Sequence, residues 1–459
     1  VNFNVELDYY INNLSDILKN QKKFGKPTGK TQSANVEFVS CNPTGPLTIG
    51  HGRQAILGDV ISNILSWHNY KVTREYYYND AGNQMQILAE SCYAKYAKKI
   101  GKEFEAPDNA YVGEYLDEIA DKILKKFGKE LNKKDEQFRI FTEQQIFDNI
   151  QSTLNNLNVV FDVFSKEKSF YDDGSINQVL EKLLKLSLSY EKDGATWFKT
   201  TKLGKKEDKV LVKSSGEPTY RLPDIAYHID KVERGFDLIV DVFGADHIDS
   251  YPDVLLALDA LGIPTNHIKV VIHQFVTLKK DNQIVKMSTR KANFVTLDEL
   301  IEKLNSDVIR YFFIMRGTNT HLDFDLDLAM DESEKNPVYY LQYAHARISN
   351  LLKRFNKEIK GKNKTNLSLL KENDEIALIK KLSDFPTKMN QIHESLEPKQ
   401  LATYLEDLAA HYHKFYGNHK VINQNNIDLS SARIKLCEAT QIILKTGLSI
   451  LGIQAPEKM

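Results

Sequence analysis

Two short stretches of this chain carry residue types suited to holding a polyanion. The first, Asn42-Pro-Thr-Gly-Pro-Leu-Thr-Ile-Gly-His51-Gly-Arg53, lies between a β-type run, Val36–Ser40, and an amphipathic run beginning near Gln54. A strand-to-helix turn of this kind aims backbone N–H groups and a helix N-terminus at an anion. Gly45 and Gly50 would let the backbone come close to such a ligand, and Pro43 would fix the turn. His51 has a ring nitrogen to donate to a ligand oxygen. The second stretch, Lys286-Met287-Ser288-Thr289-Arg290-Lys291, is cationic and could close over the same anion. Taken alone, each also reads as ordinary structure: a tight turn with His51 as a structural hydrogen-bonder, and a solvated surface loop.

The surrounding pattern predicts the elements that hold these stretches. Leu57, Val60, Ile61, Ile64 and Leu65 recur at helical spacing, and Lys71–Tyr78 reads as a second strand. A strand, a crossover helix and a strand in so short a span form a βαβ unit, hence a parallel sheet. From about 85 to 195 the alternation breaks into Lys/Glu-rich, mostly helical sequence, an expected insertion between two halves of the sheet. Alternation resumes with Lys209–Lys213, a helix from about Asp224, and the apolar run Asp237–Phe243 bounded by Gly244, which reads as a buried strand. Ile268–Phe275 follows as another strand. Thr296 and Glu299 form a capping box, and Asn336 before Pro337 suits an N-cap and first helical position. Beyond about residue 330 no strand pattern survives, so a helical bundle is expected there.

At 459 residues, 42% hydrophobic and 27% charged, the chain can bury sizeable cores and has a prior of about three domains. A net charge of −1 gives no overall field for nucleic acid, so any polyanion must be met by local patches. The Lys-dense stretches are Lys122–Lys134, Lys199–Lys213 and Lys353–Lys364; each alone reads as a solvated face or loop. Three separated cysteines, Cys41, Cys92 and Cys437, make neither a disulfide framework nor a zinc pattern. No apolar run approaches the ~18–20 residues of a membrane span. A cytoplasmic monomer, with no membrane association and no protein-held metal, is the expectation.

The two opening stretches together resemble the ATP-binding signatures of class I aminoacyl-tRNA synthetases. Five further blocks are more specific and resemble the arginyl-tRNA synthetase family: Val36–Asn42, Tyr77–Gln84, Tyr220–His228, Gly244–His247 and the carboxy-terminal Ala455–Met459. The resemblance runs from about Asn35 to the end. It implies an α/β fold: a Rossmann-like parallel-sheet catalytic domain over 35–330 with a mostly helical insertion, then an all-α helical bundle over 331–459. Residues 1–34 would be a remnant of an amino-terminal domain and its connector. The sequence departs from the family pattern twice. Thr48 stands where the first imidazole of His-Ile-Gly-His belongs, and Thr289 where the second Lys of Lys-Met-Ser-Lys-Ser belongs, leaving Arg290 or Lys291 to cover that charge.

The implied reaction joins arginine to its tRNA. The arginine carboxylate attacks the α-phosphorus of ATP, Mg2+ arriving with the nucleotide, and the adenylate then passes the aminoacyl group to tRNA(Arg). Such chemistry asks a protein mainly to align reactants and neutralise phosphate charge. The implied catalytic groups are Thr48, His51, Lys286 and Arg290. Pro43, Gly45, Gly50, His51, His247, Gln274, Met287 and Ser288 would contact ATP. Arginine would lie on Glu37, Ser40, Asn42, Tyr220, Asp224 and Asp246. The chemistry of the amino acid argues the same way: a guanidinium is planar, always charged and best held by carboxylates, with an aromatic face for stacking. Charge-paired recognition of this sort discriminates steeply, so no hydrolytic editing site is expected. In the bundle, Tyr339, Tyr340, Tyr343, His345, Tyr412, Phe415 and Tyr416 are stacking candidates for single-stranded bases of the anticodon loop, near Arg347 and Met459, or else core rings. Two other readings remain: a small-molecule nucleotidyltransferase, and a non-catalytic RNA-binding relative, which Thr48 and Thr289 would suit.

Overall fold

The computed structural model describes residues 6–285, 295–359 and 365–459. In chain order these residues form helix α1 (Leu7–Asn20), strand β1 (Gln32–Glu37), helix α2 (Ile49–Trp67), strand β2 (Tyr70–Tyr78), then helices α3 (Asn83–Lys99), α4 (Glu114–Phe127) and α5 (Glu136–Asn156). Next come β3 (Val163–Lys166), α6 (Glu167–Asp172), α7 (Ser175–Lys185), and the short strands β4 (Ser189–Lys192), β5 (Ala195–Phe198) and β6 (Lys209–Val212). Helix α8 (Arg221–Glu233), strand β7 (Leu238–Gly244), helix α9 (Tyr251–Ala260) and strand β8 (Ile268–His273) complete the α/β alternation. A second small region holds β9 (Val276–Lys280), β10 (Gln283–Ile284), α10 (Leu297–Ile301), α11 (Ser306–Ile314), β11 (Leu322–Asp325) and α12 (Leu326–Met330). The remainder is helical: α13 (Pro337–Glu358), α14 (Asn373–Ser383), α15 (Phe385–Ser395), α16 (Lys399–Asn418) and α17 (Ile427–Ile450).

The central sheet has the order β3-β2-β1-β7-β8. Every pairing in it is parallel. Strand order reverses direction between β1 and β7, and in open parallel sheets ligands bind in the crevice outside the carboxyl ends at such a switch point. The order itself thus locates the site before any side chain is considered.

Several sequence expectations shift in detail. The first strand ends at Glu37, and Val39 (φ 67) and Ser40 (φ 40) turn through left-handed backbone instead. A β-branched residue there is strained, so the chain leaves the strand at a fixed and unusual angle. Helix α2 starts at Ile49, earlier than its apolar periodicity suggests, because Thr48 caps it. Within the 85–195 segment, β3 pairs with β2 in register Glu75↔Val163 and so belongs to the main sheet. Four residues in a Lys/Glu-rich stretch give too short a period to read. Conversely, Lys209–Val212 does not resume the parallel sheet but pairs antiparallel with β5.

Helix α2 is buried nearly all round, and two side chains tie it down. Gln54 Nε2 donates to the Val242 carbonyl at 2.5 Å, locking the helix to β7. Arg53, fully buried, donates to the carbonyls of Gln274 (2.7 Å), Thr320 (3.0 Å) and Gly317 (2.9 Å). Gly58 permits the closest approach: a Cβ there would lie 2.1 Å from the Phe38 ring.

The α/β part and the helices share one continuous core. Helix α1 contributes Leu14 and Ile17, both fully buried, and packs on α14 and α17, so it is part of the bundle's wall. Arg310, on α11 and also fully buried, donates to the carbonyls of Leu451 and Leu157 and to Asp59. One guanidinium thereby stitches the end of α17 to α2 and to the loop before β3.

Candidate functional site

The carboxyl ends of β1, β7 and β8 carry a nucleotide-type cradle. Thr48 Oγ accepts the His51 N–H at 3.5 Å, and His51 Nδ1 accepts the Thr48 N–H at 3.1 Å. This reciprocal cap consumes the lone pair of Nδ1, so the neutral ring carries its proton on Nε2, facing outward as a donor. Burial holds the imidazole below its ordinary pKa, opposed by Asp246, so it is neutral at pH 7. Thr48 therefore has a definite task that its place in the signature did not reveal: it caps α2 and fixes the ring of His51. The Thr-x-x-His spacing, read as a capping box, would have shown this.

Gly45 and Gly50 differ. A Cβ on Gly50 would meet nothing nearer than Thr48 Oγ at 3.6 Å, whereas one on Gly45 would sit 3.2 Å from the Tyr115 hydroxyl. That hydroxyl donates to the Thr44 carbonyl at 2.9 Å, so the turn is closed from outside by α4. Pro43 is buried beneath it. Leu47 accepts the Leu297 N–H at 2.7 Å and Thr48 bridges Thr296, which pins the residues just after the second signature against the first. Lys286, Met287, Ser288, Thr289, Arg290 and Lys291 themselves lie outside the described residues.

After β7, Asp246 is exposed and His247 stacks on Phe243 with ring centroids 5.0 Å apart. Asp246 acts on His51 electrostatically and lies 3.8 Å from His247, which acts on Asp224. Gln274, half-buried after β8, offers its carbonyl to Arg53.

On the other side of the switch point the charges are acidic. Asp224, half-buried in the first turn of α8, has a carboxyl pushed up to about 6, first by burial and also by Glu37, against the pull of His228, His247 and Lys231. Glu167, the first residue of α6, is buried and pushed up to about 7 by burial, then by Asp224 and Asp80. Tyr77 donates to it at 3.3 Å. Burial raises both carboxyls, and Asp224 adds to the elevation of Glu167, the pattern of an acidic pair that a further cation would stabilise. Glu167 was missed from sequence because the strand that delivers it, β3, was missed. Tyr220, at the N-cap of α8, is 55% exposed, with the Arg221 guanidinium 4.8 Å from its ring centroid.

The other expected arginine contacts have partners of their own. Glu37 is buried and paired with Lys231, itself fully buried. Lys231 also meets Asp241 at 2.6 Å, and His228 joins Asp241 at 3.1 Å while contacting the Asp224 carbonyl through Nδ1 at 2.8 Å. Ser40 Oγ accepts the Tyr77 N–H at 3.0 Å. Asn42 is exposed and donates to Gln84 at 2.7 Å, which links the β1 loop to the Asn79–Gln84 loop after β2.

Models of two families match this chain: "tRNA synthetases class I (R), catalytic domain" over residues 13–311 and "DALR anticodon binding domain" over 341–459. The chain belongs to the arginyl-tRNA synthetase family. A curated arginine–tRNA ligase from Salinibacter ruber is 47% identical, spanning 100% of this chain and 85% of that protein. Its counterpart from Desulfotalea psychrophila is 45% identical over 100% of this chain and 84% of its own length. A crystal structure of a Campylobacter jejuni protein assigned as an arginyl tRNA synthetase superposes with a TM-score of 0.89 at 31% identity, covering 99% of this chain and 100% of that one. The family charges tRNA with arginine through an adenylate and uses ATP as a substrate.

In this synthetase fold the bundle offers a second candidate surface. A concavity of about 250 Å³ is lined by Tyr343, Arg347, Arg354, Tyr416 and Met459, among others. The Arg347 guanidinium lies 4.3 Å from the Tyr343 ring centroid and 5.2 Å from that of Tyr416. His345, Tyr412 and Phe415 are instead buried in the bundle, and only Tyr343 and Tyr416 of the expected aromatics line the hollow.

The acidic half yields a pH prediction. A guanidinium stabilises the ionised carboxylates, so binding must expel any proton held by Asp224 or Glu167. Arginine affinity should therefore rise from pH 5.5 to 8, with net proton release near pH 6.5. Calorimetry in buffers of different ionisation enthalpy measures the release; a buffer-independent heat at pH 6.5 refutes it.

Proposed function

We propose that the site residues divide the family's reaction between the two halves of the switch point. On the β7–β8 side, His51 Nε2–H meets a phosphate oxygen of ATP, and Gly50 leaves room for it. Mg2+ arrives on the nucleotide, and Lys286 with Arg290 supplies charge as pyrophosphate departs. On the β2–β3 side, Asp224 and Glu167 take the arginine guanidinium, Tyr220 covers it, and Asn42 holds the amino-acid end. Ser40 and Glu37 act one step back, shaping the turn and the electrostatics beneath. The observation that carries this division is the pair of raised carboxyls, Asp224 at about 6 and Glu167 at about 7, with Asp224 adding to the elevation of Glu167.

The catalytic unit spans 35–330 and the bundle, 331–459, takes the anticodon loop of tRNA(Arg), with Tyr343, Arg347 and Tyr416 stacking on a base. A cytoplasmic monomer suffices for this scheme, since both halves of the site come from one chain. Charging of purified tRNA(Arg) tests the whole: arginyl-tRNA should form with ATP and arginine. Arginine-dependent pyrophosphate exchange should be weak until tRNA is added; equal exchange with and without tRNA contradicts that order. Normal charging after Tyr343→Ala combined with Arg347→Ala would remove the anticodon assignment.

A further inference from the structure

Among the described residues, His273, the last of β8, is the one buried histidine of the nucleotide half whose outer nitrogen is unclaimed. The residue is 5% exposed, and its Nε2 has no hydrogen-bond partner among the described residues. Its Nδ1 lies 3.2 Å from the Gln274 carbonyl. A carbonyl oxygen only accepts, so Nδ1 carries the proton and Nε2 presents a bare lone pair. The opposite tautomer would set two lone pairs against each other. The ring does not escape by taking a second proton, because its pKa is pushed down to about 4 by burial, outweighing the Gln274 carbonyl, with Arg53 adding to the depression.

The direction of that lone pair is set by the sheet. Gly244 and His273 are register partners across β7 and β8. A Cβ placed on Gly244 would lie 3.9 Å from His273 Nε2 and 2.5 Å from Asp246 Oδ1. Glycine therefore keeps clear the space that both groups border. Asp246 and His51 each act on the His273 ring electrostatically, which sets it in the same corner as the capped imidazole. Glu167, by contrast, follows β3, at the opposite edge of the five strands. The guanidinium and its donors thus belong to the far side.

A buried acceptor left without a donor costs stability, so such groups mark places where a ligand completes the bonding. Phosphate oxygens are acceptors only and would be repelled. Bound ATP offers three neutral donors, the two ribose hydroxyls and the adenine amino group. We propose that His273 positions the nucleoside of ATP, its Nε2 accepting one hydrogen bond from such a donor. This rests on the ATP site proposed above and adds to it a residue adjacent to Gln274 that the sequence reading passed over.

The KM values of ATP, 2′-deoxy-ATP, 3′-deoxy-ATP and purine riboside triphosphate in arginine- and tRNA-dependent pyrophosphate exchange test it. In the unmodified enzyme the analogue lacking the relevant donor should bind about five- to tenfold more weakly than ATP. His273→Phe keeps a ring but removes the acceptor, and should bring that ratio close to one. Loss of discrimination against a deoxy analogue assigns the ribose, and loss against the purine analogue assigns the amino group. Should Phe prevent folding, His273→Leu serves the same comparison. Ratios unchanged by substitution overturn the proposal, while absent exchange in the unmodified enzyme overturns the ATP site itself.

Discussion

Asp224→Asn should weaken arginine binding by about 100- to 1,000-fold, the cost of removing one partner from a desolvated charge pair. The substitution keeps the shape of the side chain and its place in the first turn of α8, so the fold should survive. Stability should even rise slightly, because burial and Glu37 push the Asp224 carboxyl up to about 6 despite His228, His247 and Lys231, and Asp224 in turn raises Glu167. ATP affinity should change little, since the nucleotide half sits across the switch point. Removing Asp224 should also let the Glu167 carboxyl fall toward its ordinary value, because Asp224 is the largest cause after burial of its elevation. The pH dependence of residual arginine binding should then move to lower pH. Calorimetric titration of arginine and ATP into both proteins measures all of this. Unchanged arginine affinity would remove Asp224 from the pocket, whatever the nucleotide does.

How much of this was legible in the sequence depends on the length of each signal. The buried strand Leu238–Gly244, the helix after Thr48, the capping box at Thr296 and the N-cap at Asn336 carry long apolar periods or fixed cap spacings. Their types were readable, and the family blocks placed Asp224, Asp246 and His51 near one another. What escaped were features made by tertiary contact. Four residues of β3 have no period to detect, and with them went Glu167. Glu37 looked like a free carboxylate at a strand end, but Lys231, which neutralises it, comes from α8, far along the chain. Thr48 was read only as a catalytic position, and its capping of α2 went unread. His273 sat beside a residue that was chosen, and nothing local says which of its nitrogens is spoken for.

Lys231 makes the sharpest structural test. It is fully buried, its amine pairs with Glu37 and Asp241, and it lies 4.4 Å from the Tyr227 ring centroid. Burial alone would lower its pKa, but Asp241 and Glu37 outweigh that and hold it above its ordinary value. Asp241 is held below the usual carboxylate range, burial being overcome by Lys231 and His228. The stability from the raised amine is fully present below the unfolded lysine value of about 10.4 and is lost only as pH climbs through the folded one. That from the depressed carboxyl is present above about 3.9 and is lost as pH falls through its folded value. From about pH 5 to 9 the Lys231–Asp241 pair should therefore contribute a constant amount in the unmodified protein. His228, held above its ordinary value beside Asp241, adds stability that is full below about 6.5 and is lost as pH rises through its folded value. Lys231→Met fills the space but strands two buried carboxylates, and should cost about 3–5 kcal/mol at pH 8. Lowering the pH should then restore part of the loss, because Asp241, no longer held down by Lys231, can take up a proton. His228, freed from the repulsion of Lys231, can also charge beside Asp241. Urea unfolding at pH 5 and pH 8 decides it: the gap between the two proteins should narrow at the lower pH. A gap independent of pH would mean that Lys231 acts by packing and not as the counterion that lets an acidic pocket sit on this sheet.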